Sequence, residues 1–294
     1  MTNDYSRRSV LRVLGIAAVA VPVGALMSAC STVDTPGSAS QDLLATAKKQ
    51  GYLRVAIANE PPYTQVNTDG TVTGAEPDVF RAVCQRLGIP DIQGVVTPYA
   101  SMIPGLNANR WDAITAGLFM KQSRCGQVLY SEPVIVSTES FAVLPGNPKH
   151  ILKIADIVAN HNLNIAVLPG AFEEGILKTA NVPDGQRVKV TDGRSGVEAV
   201  MAGRADGFLL PTLSLQALRK NDTGFDVTPP IEDAPKTGSG AAFRKSDEAF
   251  LTAYNKELKA FEDTPEFAAI LTKWGFDTAA AKSTTTAELC KNSG

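Results

Sequence analysis

Histidine is scarce in this chain and no Cys-x-x-Cys pair occurs. His150 and His161 each lie in a polar, loop-like stretch. Without a cluster of imidazoles and thiols, a metal centre has no ligand set, so no metal or cofactor is expected. Both histidines are expected at the solvated surface. Basic runs are absent after residue 12, and 28 basic against 30 acidic residues leave a net charge of −2. No nucleic-acid partner is expected from such a balance. No tandem repeat is present. What remains is an ordinary globular composition, 44% hydrophobic and 20% charged over 294 residues. It is enough for one large or two medium domains.

Residues 1–30 read as an export signal rather than part of the fold. Ser6–Arg12 (SRRSVLR) precedes an apolar run, Val13–Met27, that is interrupted by Gly15, Pro22 and Gly24. The run falls short of the roughly 20 residues a membrane span needs. Arg7–Arg8 resembles a twin-arginine signal, with a Sec signal as the alternative. The run ends in LMSAC, which resembles a lipobox and makes Cys30 the expected site of lipidation. Residues 31–40 (STVDTPGSAS) are polar and rich in turn formers, as a flexible tether between lipid and domain would be. The expected location is therefore outside the cytoplasmic membrane, anchored through the N-terminal lipid, or in the periplasm.

Of the remaining cysteines, Cys84 shares helical spacing with Val79, Phe80, Val83 and Leu87, and reads as a buried thiol. Cys125 and Cys290 lie in polar surroundings and are the better candidates for a disulfide.

Strand-like and helix-like runs alternate along the chain. LRVAIA (53–58), VVTPY (95–99) and WDAITAG (111–117) read as strands. Between them a helix begins near Glu76–Pro77, and a shorter one covers 101–110. A second series holds NIAVL (164–168), VKV (188–190) and ADGFLLP (205–211), with helices between. A long helical stretch follows over 246–264. The pattern predicts an α/β fold with sheets covered on both faces. Residues 139–144 and 239–244 are the expected crossings between two lobes. Lobe 1 would take 41–141 and 243–294, and lobe 2 would take 142–242.

The order PPYTQVNTDGTVTGAEPDVFRAVCQRLG, IPGLNANRWDAITAGLFMKQSR, VLYSEPV, GVEAVMAGRADGFLL, GSGAAFRKSDEAF resembles the type II periplasmic solute-binding proteins of ABC importers, in their family-3, amino-acid-type branch. Within that family, IANEPPYT, IPGLNANRWDAITAGLFMKQSRC and STTTAELC are most similar to the ectoine- and hydroxyectoine-binding proteins. The resemblance covers about residues 42–290. It implies a two-lobed hinge protein, a monomer, that closes on a small solute and presents it to a permease with a cytoplasmic ATPase. It also implies a disulfide between Cys125 and Cys290.

The resemblance places Arg124 on the ligand carboxylate, which a guanidinium can hold with two parallel bonds. Phe119 stands where amino-acid binders carry a small hydroxyl residue. Leu210, with Pro211, stands where they carry an aspartate for the ligand ammonium. A buried ammonium there would lack its counter-charge, so an ordinary α-amino acid is a poor fit. Glu60, at the end of the first strand, can supply that charge from lobe 1. Tyr63, Tyr99 and Phe119 are expected to form an aromatic cage for a diffuse cation. In the glycine turn before the second-lobe helix, Gly170 is retained, but Phe172 replaces a hydroxyl donor; the helix N-terminus still offers backbone N–H groups to an anion. A compact zwitterion such as ectoine suits this set. A betaine also suits the cage, but has no N–H to give Glu60. A solute-sensing lipoprotein and a dehydratase-like enzyme are the other readings, and the enzyme lacks a second acid or base to complete a mechanism.

Overall fold

The computed structural model describes residues Asp42–Asn292. The export signal, Cys30 and the tether lie outside the described residues. Two five-stranded sheets, each flanked by helices, carry the described chain.

The first sheet has the order Asp91–Val96, Tyr52–Ile57, Ala113–Ile114, Ala242–Phe243, Leu129–Tyr130. Its first three strands are parallel and its last two run antiparallel to their neighbours. Tyr52–Ile57 sits inside this sheet and is buried at Val55, Ala56 and Ile57, as its unbroken apolar run requires. Helix Ala75–Arg86 packs on it through Val79, Phe80, Val83 and the free, buried Cys84. Phe80 stacks on Tyr254 of helix Glu248–Glu262 at 5.3 Å between ring centroids. Gly74 precedes helix Ala75–Arg86 with φ +128, where a Cβ would collide with the backbone of Tyr63 and Thr64. Glycine is required there, because the helix start lies against the segment that carries Glu60.

The second sheet has the order Arg187–Lys189, Ile165–Val167, Gly207–Pro211, Glu139–Val143, Asp226–Val227. Its core holds Ala142, Ala166, Val197, Val200, Phe208, Leu210, Leu215 and Phe225.

The lobes are joined by an antiparallel pair, Ile135–Ser137 with Thr237–Ser239. This corrects the expected crossings. Residues 139–143 already belong to the second sheet, paired with Gly207–Pro211 and Asp226–Val227. The link therefore lies a few residues earlier, and an apolar run alone does not reveal which strand it will pair with. Other boundaries shift as well. The strand expected at 95–99 ends at Val96, and Pro98 caps a helix that already includes Tyr99 and ends at Asn107. The strand in 111–117 is confined to Ala113–Ile114.

Cys125 and Cys290 are disulfide-bonded, with their Cα atoms 5.9 Å apart. The bridge pins the C-terminal turn to the first lobe, where the Gln122 N–H also donates to the Asn292 carbonyl. His150 and His161 are exposed.

Candidate functional site

The site is built from the loops that leave the carboxyl ends of the parallel strands, where open α/β sheets place ligands. Tyr52–Ile57 leads to Glu60 and Tyr63, Asp91–Val96 to Tyr99, and Ala113–Ile114 to Gly117 and Phe119. From the second lobe, Ile165–Val167 leads to Phe172 and Glu173, and Gly207–Pro211 ends on Pro211. These residues, with Arg124, line a cleft that is nearly closed, with room for about 10 Å³.

Glu60 is buried at 8% exposure. Its backbone is fixed by Thr64, whose N–H donates to the Glu60 carbonyl at 3.0 Å and whose hydroxyl accepts from the Glu60 N–H at 3.2 Å. The carboxylate accepts from the Ser214 hydroxyl of the second lobe at 2.6 Å and from the Tyr99 hydroxyl at 3.3 Å. Burial, followed by the charge of Glu173, pushes its pKa up to about 7, against the two hydroxyl bonds that favour the anion.

Arg124, 5% exposed, sits in a short helix, Gln122–Cys125. Its guanidinium donates to the Phe119 carbonyl at 2.6 Å and to the Gly170 carbonyl of the other lobe at 2.8 Å. Two of five N–H donors are engaged there, which leaves three for an anion. Gly170, φ +77, comes so close to Ala100 that a Cβ would lie 2.7 Å from the Ala100 backbone. The two lobes are thus in direct contact at Gly170–Ala100, Gly170–Arg124 and Ser214–Glu60.

The aromatic wall differs in part from expectation. Tyr63 and Phe119 meet edge to face at 5.7 Å, and Phe119 and Phe172 do so at 5.9 Å. Phe172 is therefore a full member of the wall from the second lobe. The Lys121 ammonium lies 5.6 Å from the Phe172 ring centroid, and burial lowers its pKa to about 8. The Tyr63 hydroxyl points away into a hydrogen bond with Ser137 of the interlobe strand.

Three expectations are corrected. Leu210 does not face the cleft. It is fully buried in the second-lobe core, and its neighbour Pro211 lines the site, because successive side chains of a strand point to opposite faces. Gly170 contributes its carbonyl to Arg124 rather than an N–H to an anion, and its N–H is taken by the Glu174 carboxylate at 2.9 Å. The helix start expected to hold an anion carries two acids, Glu173 and Glu174, both buried. Acids are favoured there by the helix dipole, and that first-turn pair in PGAFEE was the signal that sequence reasoning passed over.

Glu173 is the principal residue missed. It is 3% exposed and lines the cleft together with Glu60 and Arg124. Burial raises its pKa, while Arg124 and Lys121 oppose the rise. A further buried acid, Glu76, accepts from the Gly117 N–H at 2.9 Å and from the Ser239 hydroxyl at 2.7 Å. It ties the helix start, the cleft-lining Gly117 and the interlobe strand together, and burial pushes its pKa up to about 7.

Residues 53–278 match the family model of the bacterial extracellular solute-binding proteins, family 3. A probable amino-acid ABC transporter periplasmic-binding protein, y4tE of Sinorhizobium fredii, is 34% identical over 85% of this chain and 86% of its own length. Among solved structures, EhuB in complex with hydroxyectoine is 45% identical, with a TM-score of 0.81 over 84% of this chain and 97% of that one. An ancestral amino-acid-binding protein, AncCDT-1, a precursor of cyclohexadienyl dehydratase, is 23% identical at a TM-score of 0.69 and shares the fold.

Proposed function

Because the chain belongs to the bacterial extracellular solute-binding proteins of family 3, we propose that its cleft captures a compact zwitterion, ectoine or hydroxyectoine, for import. The coarser role is that of the solute-binding protein of an ABC importer for amino acids or related solutes, which works with a permease and an ATPase. The reading includes export as a monomeric lipoprotein attached through Cys30.

One observation carries the choice of solute: two buried carboxyls, Glu60 and Glu173, share a closed cleft with Arg124, between the rings of Tyr63, Phe119 and Phe172. A solute carboxylate takes the free donors of Arg124. A delocalised amidinium lies against the rings and gives its N–H groups to Glu60, with Glu173 as a second acceptor. Ring faces contribute about 0.5–2 kcal/mol each toward such a cation, depending on desolvation. Pro211, in place of an acid, gives an α-ammonium no partner on that strand. The likeness to EhuB supports the same solute class. A quaternary betaine would fill the cage but has no N–H to give either buried carboxyl.

Calorimetric titration of the protein with ectoine, hydroxyectoine, glycine betaine, proline betaine and polar amino acids tests this reading. Ectoine or hydroxyectoine should bind at least tenfold more tightly than any other. Preference for a betaine or an amino acid would replace it.

A further inference from the structure

Behind the cleft, a buried carboxyl lies on the strand that enters the second sheet. Glu139 is 1% exposed. It opens the strand Glu139–Val143, directly after the interlobe pair, and does not line the cleft. Its neighbours do not explain it as an anion. Its Oε2 has no N–H or O–H group aimed at it, yet its carboxyl is within hydrogen-bonding reach of that of Glu173. Two carboxylates accept only, so that contact is a bond only if one of them holds a proton.

The other carboxyl oxygen has a donor within reach. Thr237 Oγ1, on the returning interlobe strand, lies 3.1 Å from Glu139 Oε1 and 3.0 Å from the Ser137 carbonyl. A hydroxyl has one proton. Oε1 can accept it, so the proton of a neutral Glu139 belongs on Oε2, toward Glu173. The charges that bear most on Glu139 are those of Glu173, from helix Phe172–Thr179, and Glu60, from the first-lobe loop, both of its own sign. Tyr63, from the same loop, faces it as a neutral phenol. Glu173 instead has Arg124 and Lys121 acting on it.

We propose that Glu139 is held as a neutral carboxylic acid that donates its proton to Glu173, making it the residue that positions the cleft's second acid. The pair then carries one charge, placed on the carboxyl that faces the solute. Through the bond that its Oε1 accepts from Thr237, the acid is also tied to the returning interlobe strand, so the site's anion is oriented from the hinge. Burial with like charges nearby raises the pKa of Glu139 well above the ordinary carboxylate range, in keeping with this assignment.

Glu139→Gln tests it, since an amide donates to Glu173 and accepts from Thr237 as the neutral acid does. The first readout needs no solute: thermal unfolding of both proteins from pH 4.5 to 8. A group protonated only in the folded state makes stability fall as pH rises past its unfolded value. The Gln protein lacks that loss. Its advantage should start near zero at pH 4.5 and widen with pH, approaching a factor of ten in the folding constant per unit. A gap that is flat or narrows, or a Gln protein that does not fold, overturns the proposal.

The second readout is hydroxyectoine affinity at pH 7, and it rests on the reading of the cleft as a solute site. The Gln protein should bind within threefold of the parent, and a larger loss overturns the positioning role. If the parent itself does not bind hydroxyectoine, the proposed function fails and the unfolding series alone decides the state of Glu139.

Discussion

The Ser214 hydroxyl donates to Glu60 Oε1 at 2.6 Å, joining residues 154 positions apart in sequence and on different lobes. Together with the bond from Arg124 to the Gly170 carbonyl, it latches the closed cleft from both sides. A bond to an ionised carboxylate is worth about 1.5–3 kcal/mol. Ser214→Ala should therefore weaken solute binding by roughly tenfold. Small-angle scattering at a fixed, subsaturating solute concentration should show less contraction than in the parent. Affinity and scattering both unchanged would remove Ser214 from the latch.

Arg124→Lys should lose at least about tenfold in affinity. An ammonium can neither bridge the Phe119 and Gly170 carbonyls nor present parallel donors to a carboxylate. Arg124→Ala should be no better. Calorimetry with hydroxyectoine checks both, and a lysine variant that binds as the parent does would exclude two-pronged contact.

Acidity should act on binding and on stability in opposite directions. Glu60 binds a cation as the anion, and its pKa in the closed, solute-free cleft is about 7. Affinity should rise from pH 5 to a plateau above 7. For the solute-free protein, the raised values of Glu60 and Glu76 mean that the folded state holds protons the unfolded state has released. That stabilisation is complete below about pH 4.5 and is lost as pH approaches 7, by up to about 1.4 kcal/mol per unit for each group. Unfolding temperature measured over pH 4.5–7.5 should fall toward neutrality without solute, and fall less with solute saturating. A solute-free profile that rises toward pH 7 would mean these acids are stabilised as anions.

The disulfide closes a loop with a sequence separation of 165 residues. In the chain-entropy picture such a loop contributes about 5 kcal/mol, less any native strain. Reduction, or Cys125→Ser with Cys290→Ser, should lower the unfolding temperature by several degrees. Because Cys125 adjoins Arg124, a modest loss of affinity should accompany it. Unfolding temperatures that agree with and without reductant would show that the bridge contributes little.

Much of the first lobe's share of the site was legible in the sequence. Glu60, Tyr63, Tyr99, Phe119 and Arg124 fall in segments whose order is itself distinctive, and all of them line the cleft. The second lobe's share was harder to read. Leu210 and Pro211 are adjacent, and which one faces the cleft depends on strand parity, fixed by pairing with Glu139–Val143 rather than by the residues themselves. Glu173 reads as an ordinary first-turn acid until the lobes come together around it. Ser214 is one hydroxyl in TLSLQ, and its partner lies far away in sequence. Glu139 heads an apolar run that reads equally well as a crossing or as a sheet strand.

The most direct measurement is the affinity of Glu60→Gln for hydroxyectoine and for glycine betaine, set against the parent at pH 7.5. If Glu60 accepts N–H groups from a delocalised cation, the amide should cost at least about tenfold for hydroxyectoine and change betaine binding little. Hydroxyectoine affinity left intact by Glu60→Gln would contradict the charge pairing on which the proposed solute rests.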